Sequence, residues 1–390
     1  MRTFERTHPW ISFYTDLGRA PASLWIALGE CQSKCEHIAK VPLRPDTSQK
    51  LQRVYLAKGA AATTAIEGNT LTEEQVQLLL EGKLTLPPSQ QYLQNEVQNI
   101  IDACNLMLDA IIAGKAPTIS SERIREINRL VLRNLELAPE VIPGEFRTHS
   151  VTVGRYVGAP AEDCEFLVNE LCDWLNGEDF QPSPGLEIAY AILKAIVAHL
   201  YIAWIHPFGD GNGRTARLVE FQVLIASGVP APAAHLLSNH FNLTRTEYYR
   251  QLDRASKSGG DILPFVTYAV QGLWDGLKAQ LNTIWEQQWD ITWRNYVHEL
   301  FPDKSGMTQH RRRHLVLDLS RESGSVPIGS MTGINPRITN EYAHKTRKTL
   351  IRDLNELMRL GLIEKGPEGY RAKLEIILSF LPPKASPGSK

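Results

Sequence analysis

His206-Pro207-Phe208-Gly209-Asp210-Gly211-Asn212-Gly213-Arg214-Thr215-Ala216-Arg217 sets a group able to accept a proton near neutral pH, a carboxylate, three alternating glycines, an amide and two arginines within twelve positions. An apolar helical pattern over residues 186–205 precedes the stretch and a second one over residues 214–227 follows it. The loop is therefore predicted to end on a helix N-terminus, whose unpaired N–H groups and dipole attract anions. Gly209, Gly211 and Gly213 let backbone amides curl around phosphate oxygens, because glycine enters left-handed conformations freely. Arg214 and Arg217 lie three apart, on one helix face, where each can fork onto phosphate. The stretch reads as a nucleotide-phosphate site with a base, His206, beside it. Taken singly, each residue also has a plain reading, the glycines as a turn between helices and His206 as a helix cap.

Taken whole, the string fits His-x-Phe-x-(Asp/Glu)-Gly-Asn-Gly-Arg-x-x-Arg without a mismatch and lacks the Gly-Lys-Ser/Thr ending of a P-loop. In this it resembles the Fic family of protein-modifying enzymes. The resemblance implies that His206 takes the proton from a Ser, Thr or Tyr hydroxyl of a target protein, which attacks the α-phosphate of ATP and keeps AMP. It gives Asp210 a Mg²⁺ ion on the phosphates, a hard carboxylate for a hard cation. It assigns the α- and β-phosphates to Asn212, Arg214 and the amides around Gly209, Gly211 and Gly213, and the γ-phosphate to Arg217. Phe208 is expected to point inward and anchor the loop. Such chemistry is positioning plus charge neutralisation of a leaving pyrophosphate, with one proton transfer.

Upstream, helical spacing at Leu51, Val54, Tyr55 and Ile66 predicts a helix over residues 49–67, stopped by Gly68 and Asn69. Glu67 falls in its last turn, where the helix dipole disfavours a carboxylate by ~0.3 to 1 kcal/mol, so Glu67 wants a cation. Thr63-Thr64-Ala65-Ile66-Glu67-Gly68 also fits Ser/Thr-x-x-x-Glu-(Gly/Asn), the inhibitory signature of one class of Fic proteins. That resemblance implies Arg217 as the cation, withheld from the γ-phosphate by the Thr63–Glu67–Gly68 motif. Between the two motifs, Val151-Thr152-Val153-Gly154 and residues 156–160 read as two short β-runs, followed by a helix over residues 161–175. This resembles the family's flap, whose edge would take an extended target segment by strand addition. Tyr248 and Tyr249 resemble the nucleobase-facing segment and are candidate adenine neighbours, with core packing as the alternative. Ser256 stands where relatives can carry asparagine.

A chain of 390 residues with 43% hydrophobic and 22% charged residues is ordinary for a globular protein of two or three domains. Lys194 and His199 interrupt the longest apolar run and no signal-peptide core opens the chain, so no membrane partner and a cytoplasmic location are expected. Five scattered cysteines, odd in number and without Cys-x-x-Cys spacing, read as reduced thiols.

The net charge of −1 hides an asymmetry: residues 304–373 carry 14 Lys and Arg against 7 Asp and Glu. This basic stretch follows the aromatic-rich segment of Trp285, Trp289, Trp293 and Tyr296 and a turn-rich linker at 301–306. Its pattern of helix, short helix, a helix over residues 346–360 and a strand–turn–strand resembles a winged helix-turn-helix. Such a module takes a DNA or a protein partner. Lys345, Arg347, Lys348 and Arg352 are the first candidates for nucleic acid, with Lys365 and Arg371 of the wing on phosphates. The expected fold is mostly α: a Fic-type helical core with a small β-hairpin flap and a C-terminal winged helix-turn-helix. The expected domains are an inhibitory helical region (1–99), a Fic domain (100–275), a connecting helix and linker (276–304), the winged helix (305–380) and a disordered tail (381–390). The expected function is an autoinhibited protein adenylyltransferase using ATP and Mg²⁺ on target proteins with accessible hydroxyls, with a homodimer left open. Alternatives are transfer of another phosphate-containing group, removal of AMP from targets, and a nucleotide-sensing DNA-binding regulator.

Overall fold

Of the strongly apolar helices, the one that follows Leu186 is apolar on every side, and a helix of that kind has to sit inside its neighbours. In the computed structural model, which describes residues 2–115, 117–301 and 306–377, this is what it does. The elements run, in chain order, α1 (Thr3–Thr7), α2 (Ala22–Lys40), α3 (Pro45–Ala65), α4 (Glu73–Leu80), α5 (Gln91–Ile112), α6 (Ser121–Leu132), β1 (Thr152–Val153), β2 (Tyr156–Val157), α7 (Cys164–Asn176), α8 (Glu187–Ile205) and α9 (Asn212–Ala226). There follow α10 (Ala231–Ala234), α11 (Leu236–Leu243), α12 (Arg245–Lys257), α13 (Leu263–Leu300), α14 (Met307–Leu319), α15 (Pro336–Tyr342), α16 (Arg347–Arg359), β3 (Ile363–Gly366) and β4 (Gly369–Ala372). The described chain is mostly α, as the sequence predicts.

The chain divides between Leu281 and Asn282 into two compact units, and α13 contributes residues to both. In the first unit α8 is the central helix, packed by α2, α7 and above all α9, while α3, α5 and α6 close over α9. Ile192, Ala195, Ile196, Ala198, Leu200 and Ile202 of α8 are all fully buried. By length and composition α8 also passes for a membrane span, with a mean hydropathy of 1.8 and 83% of the window buried. This corrects the expectation that Lys194 and His199 break the run: two polar side chains are outweighed by the rest, and here protein surrounds them. All five cysteines are free and buried.

In the second unit Trp293, Val297 and Phe301 join Leu315, Leu319, Leu350, Leu354 and Leu357 in a separate core. Asp353 ties its helices together. Fully buried, it accepts from Arg311 Nε (2.8 Å) and Arg312 Nε (2.9 Å) of α14 and from the Tyr342 hydroxyl (3.0 Å) of α15. β3 and β4 pair antiparallel with Ile363 opposite Ala372, and Val326 bridges to Tyr370 along their edge. The helix placed by sequence at 346–360 is α16, Arg347–Arg359. Residues 302–305 of the linker and 378–390, with the disordered tail expected at 381–390, lie outside the described residues.

Candidate active site

α8 cannot run past Ile205, because Pro207 has no N–H and its ring crowds the turn before it. His206 takes the C-cap with φ 52° and ψ 55°, a left-handed conformation that is uncommon outside glycine and is held only where neighbours impose it. The loop after it is braced from within. Asn212 Oδ1 accepts from Phe208 N (2.9 Å) and its Nδ2 donates to Phe208 O (2.8 Å). Phe208 is buried with its ring 5.5 Å from that of Phe146. From α6, Asn128 Nδ2 donates to Asp210 O (3.0 Å) and its Oδ1 accepts from Gly144 N (2.9 Å). The side chain of Asn212 is thus committed to the loop, which corrects its expected use on phosphates; its place at the start of α9 leaves only its N–H for an anion.

The glycines need a similar correction. Of Gly209, Gly211 and Gly213, only Gly211 is left-handed, with φ 74° at the N-cap of α9, and Gly213 already lies in the first turn of that helix. Position 213 is glycine for another reason: a Cβ there would stand 2.1 Å from Glu67 Oε1.

Glu67 reaches that spot from α3, which ends at Ala65, so the carboxylate sits just past the helix rather than in its last turn. Gly68, at φ 103°, turns the chain away. Arg217, only 1% exposed, donates through Nη2 to Glu67 Oε1 (2.6 Å) and to the backbone oxygen of Thr63 (2.9 Å). Thr63 therefore serves through its carbonyl. Arg217 Nε and Nη1 are buried without a partner, as is Arg214 Nε. Orphaned buried donors are costly and stand ready for an acceptor. Burial works to raise Glu67, yet the charge and hydrogen bond of Arg217 prevail and hold it below the usual carboxylate range. Arg214 pairs with Asp210 (3.2 Å) and Glu96 (3.5 Å).

Glu67, His206, Asp210, Tyr248 and Tyr249 line a cavity of about 600 Å³ together with Val151, Val153 and Gly154 at the hairpin, while Arg214 and Arg217 lie buried outside its lining. The hairpin pairs Thr152 with Val157 and Val153 with Tyr156, is exposed, and is fastened to α8 by the Tyr156 hydroxyl on Trp204 O (2.7 Å). The Tyr249 side chain, with the residue 39% exposed, donates to Ile66 O (3.3 Å). Tyr248 is buried and its hydroxyl meets His199 Nε2 (2.9 Å), while His199 Nδ1 meets Glu220 (2.7 Å). Ser256 lines a neighbouring cavity of about 660 Å³ instead.

Burial pushes the His206 imidazole down to about 4, Arg147 lowers it further, and the Ala203 carbonyl, Glu67 and Asp210 oppose. The ring is neutral at pH 7. Because Ala203 O, 3.4 Å from Nδ1, can only accept, the proton sits on Nδ1 and Nε2 is the basic nitrogen. Among the described residues no cluster of three His, Cys, Asp or Glu side chains could hold a metal by itself. Asp210, facing the cavity, is a single hard oxygen donor, which fits a Mg²⁺ ion whose other ligands are phosphates and water.

Residues 118–224 match the model of the Fic/DOC family. The chain carries a Fic/DOC domain. The chain is similar to protein adenylyltransferase fic-1 of Caenorhabditis elegans, 34% identical over 209 residues, 54% of this chain and 38% of that protein. It is 32% identical over 209 residues to protein adenylyltransferase Fic of Nematostella vectensis, 54% of this chain and 45% of that protein. The chain thus spans less than half the length of these curated relatives. Among solved structures, C. elegans Fic-1 (residues 134–508) superposes with a TM-score of 0.56 at 27% identity, over 68% of this chain and 74% of that one. A Fic family protein from Desulfovibrio desulfuricans G20 shares the fold along 92% of this chain and 97% of its own, with a TM-score of 0.57 at 21% identity.

Sequence reasoning missed four contributors to the site: Asn128, Arg147, His199 and Glu220. The one local signal was Glu220, a charge three residues after Arg217 in the apolar run of α9, where a buried carboxylate needs a partner. Asn128 reaches Asp210 across 82 positions, Arg147 reaches His206 across 59 and His199 reaches Tyr248 across 49, and nothing near them in sequence says so.

Proposed function

We propose that this protein transfers AMP from ATP to hydroxyl groups of target proteins and restrains itself through Glu67. The observation that carries this is that Glu67, which lines the same cavity as His206 and Asp210, holds the buried Arg217. In this reading His206 Nε2 takes the target hydroxyl's proton, the oxygen bonds to the α-phosphorus, and the bond to the β-phosphate oxygen breaks. ATP enters with its phosphates toward the start of α9, where the N–H groups of the first turn and Arg214 meet them. Mg²⁺ on Asp210 would neutralise charge on the departing pyrophosphate. Arg217 receives the γ-phosphate only when Glu67 withdraws. The relatives named as protein adenylyltransferases support the donor and the acceptor class. The domain scheme that accompanies the reading is 1–99, 100–275, 276–304 and 305–380.

The test is incubation of the wild type and a Glu67→Gly variant with α-labelled and γ-labelled ATP in cell extract. Protein label from the α position alone is the expected result, and label from γ alone would make the enzyme a kinase. Asp210→Ala is expected to lower transfer about 100-fold and to flatten its response to Mg²⁺ titration. Metal-dependent turnover at the parent rate in that variant would move the metal elsewhere.

For the second unit we propose a winged-helix module that binds nucleic acid, because its cations are sorted. Arg311, Arg312, Arg337, Arg359 and Arg371 are each paired with a carboxylate. Lys345, just before α16, and Arg347, Lys348 and Arg352 in its first turns are exposed and form no ion pair among the described residues. Arg371 of the wing pairs with Glu364 and Glu375 in exposed contacts, which a phosphate there would have to displace. Duplex binding is expected to weaken steeply with salt, and Arg347→Ala with Lys348→Ala to reduce the slope of log K against log salt by about two. A gel shift with no duplex bound at low salt would leave a protein partner.

A further inference from the structure

Arg147 follows Phe146 in the segment leading to the hairpin, and its side chain is buried, with the residue 4% exposed. A buried guanidinium ordinarily sits against a carboxylate. Among the described residues this one forms no ion pair and instead spends its donors on backbone carbonyls. Nε donates to His206 O (2.7 Å), Nη1 to His149 O (2.7 Å), and Nη2 to Ala159 O and Ile205 O (3.4 Å). Its own N–H donates to Pro207 O (3.0 Å).

The four acceptors fall into two sets. Ile205 O and His206 O are terminal carbonyls of α8, which the helix leaves without partners and whose dipole favours a cation. His149 O and Ala159 O flank the β1–β2 hairpin on either side. The two sets touch directly as well: Ala159 N donates to Ile205 O (3.2 Å), and a Cβ built on Gly158 would lie 2.9 Å from both Arg147 Nη2 and His206 Cβ. The left-handed turn at His206 therefore rests on the foot of the hairpin, with one guanidinium through the joint.

We propose that Arg147 is a positioning residue that locks the His206 turn and the foot of the β1–β2 hairpin into one rigid piece. It rests on reading His206 as the base and the hairpin as the edge that receives the target. The lock fixes where the base stands relative to an incoming hydroxyl, and it has no part in holding ATP. Lysine cannot replace it: a single ammonium carries the charge but cannot span carbonyls arrayed around a planar fork.

The experiment uses the full chain in the Glu67→Gly background and compares Arg147→Lys with Gly158→Ala, which keeps the arginine and disturbs the same joint by volume. Expected for both are an ATP affinity by calorimetry and a KM for ATP within about threefold of the parent. The kcat for AMP transfer should fall about 100-fold, the scale of loss for a base misplaced by about 1 Å. Hydrogen exchange should quicken together in residues 150–158 and 206–212, and elsewhere stay as in the parent. An unchanged kcat in both variants, exchange quickened in the hairpin alone, or ATP binding lost along with kcat would each overturn the proposal. Should the Glu67→Gly parent transfer no AMP, the functional reading fails and the exchange data alone decide the lock.

Discussion

Glu67→Gly is expected to raise the rate of AMP transfer roughly 30-fold to 1000-fold over the wild type. Arg217 is buried and charged, and in the resting protein its Nη2 is divided between Glu67 and the Thr63 carbonyl while Nε and Nη1 go without partners. Removing the carboxylate frees the whole fork for a phosphate. The Glu67 side chain is 36% exposed, so the pair is worth less than a fully buried one, about 2 to 4 kcal/mol, and that range sets the span of rates if it is expressed in catalysis. Arg217→Ala should be inactive with or without Glu67. Transfer to bulk protein and to the enzyme itself, compared across wild type, Glu67→Gly and the double variant, checks this. Equal rates for the first two would sink autoinhibition and leave the transferase reading standing.

His206→Ala, made in the same Glu67→Gly background, is expected to cut transfer by about 10²-fold to 10⁴-fold with ATP affinity held within a few fold. The pH dependence follows from burial. A histidine whose value is lowered stays neutral, and so remains a base, down to a pH where a free imidazole is already protonated. Activity is therefore retained through pH 6.5 and lost as pH falls toward about 4 in the ATP-free enzyme. Phosphate oxygens alongside would draw the value up, so the acid limb of kcat should lie above that of kcat/KM. Two limbs that coincide near 6.5 would mean that the ring is solvated. Loss of ATP binding in His206→Ala would make His206 a structural residue.

Of the residues these experiments concern, His206 and Arg217 fall in one run of twelve positions, while Glu67 meets Arg217 from 150 positions away and was suggested only by its motif. Twelve consecutive positions contain the base, the acid and both arginines, and the helices on either side are strongly patterned. What was illegible depends on the third dimension. Three alternating glycines suggested three left-handed turns, whereas α9 begins early enough to absorb Gly213. Asn212 resembled a ligand-binding amide, and no pattern shows that a side chain will be turned back onto Phe208. Arg147 sits in a segment with no motif of its own, 59 residues from the carbonyl it holds. The sign of the charge in residues 304–373 was plain from composition, yet which cations are neutralised by Asp318, Asp353, Glu356 and Glu375 became apparent only when the helices were packed.

The space beside Gly213 has a kinetic meaning. A carboxylate tethered there is an intramolecular ligand for Arg217, present at an effective concentration on the order of millimolar for a short flexible leash and higher for a stiff one. This leash is stiff: Ile66 is buried, its carbonyl accepts from Tyr249, and Ala65 O accepts from Arg245 (3.3 Å). A freely diffusing anion of equal intrinsic affinity for the arginine loses that contest whenever its concentration is lower. Under the proposed restraint, relief depends on how tightly the chain around residues 65–68 is held, and an event that loosens α3 against α12 would dilute the carboxylate without touching its charge.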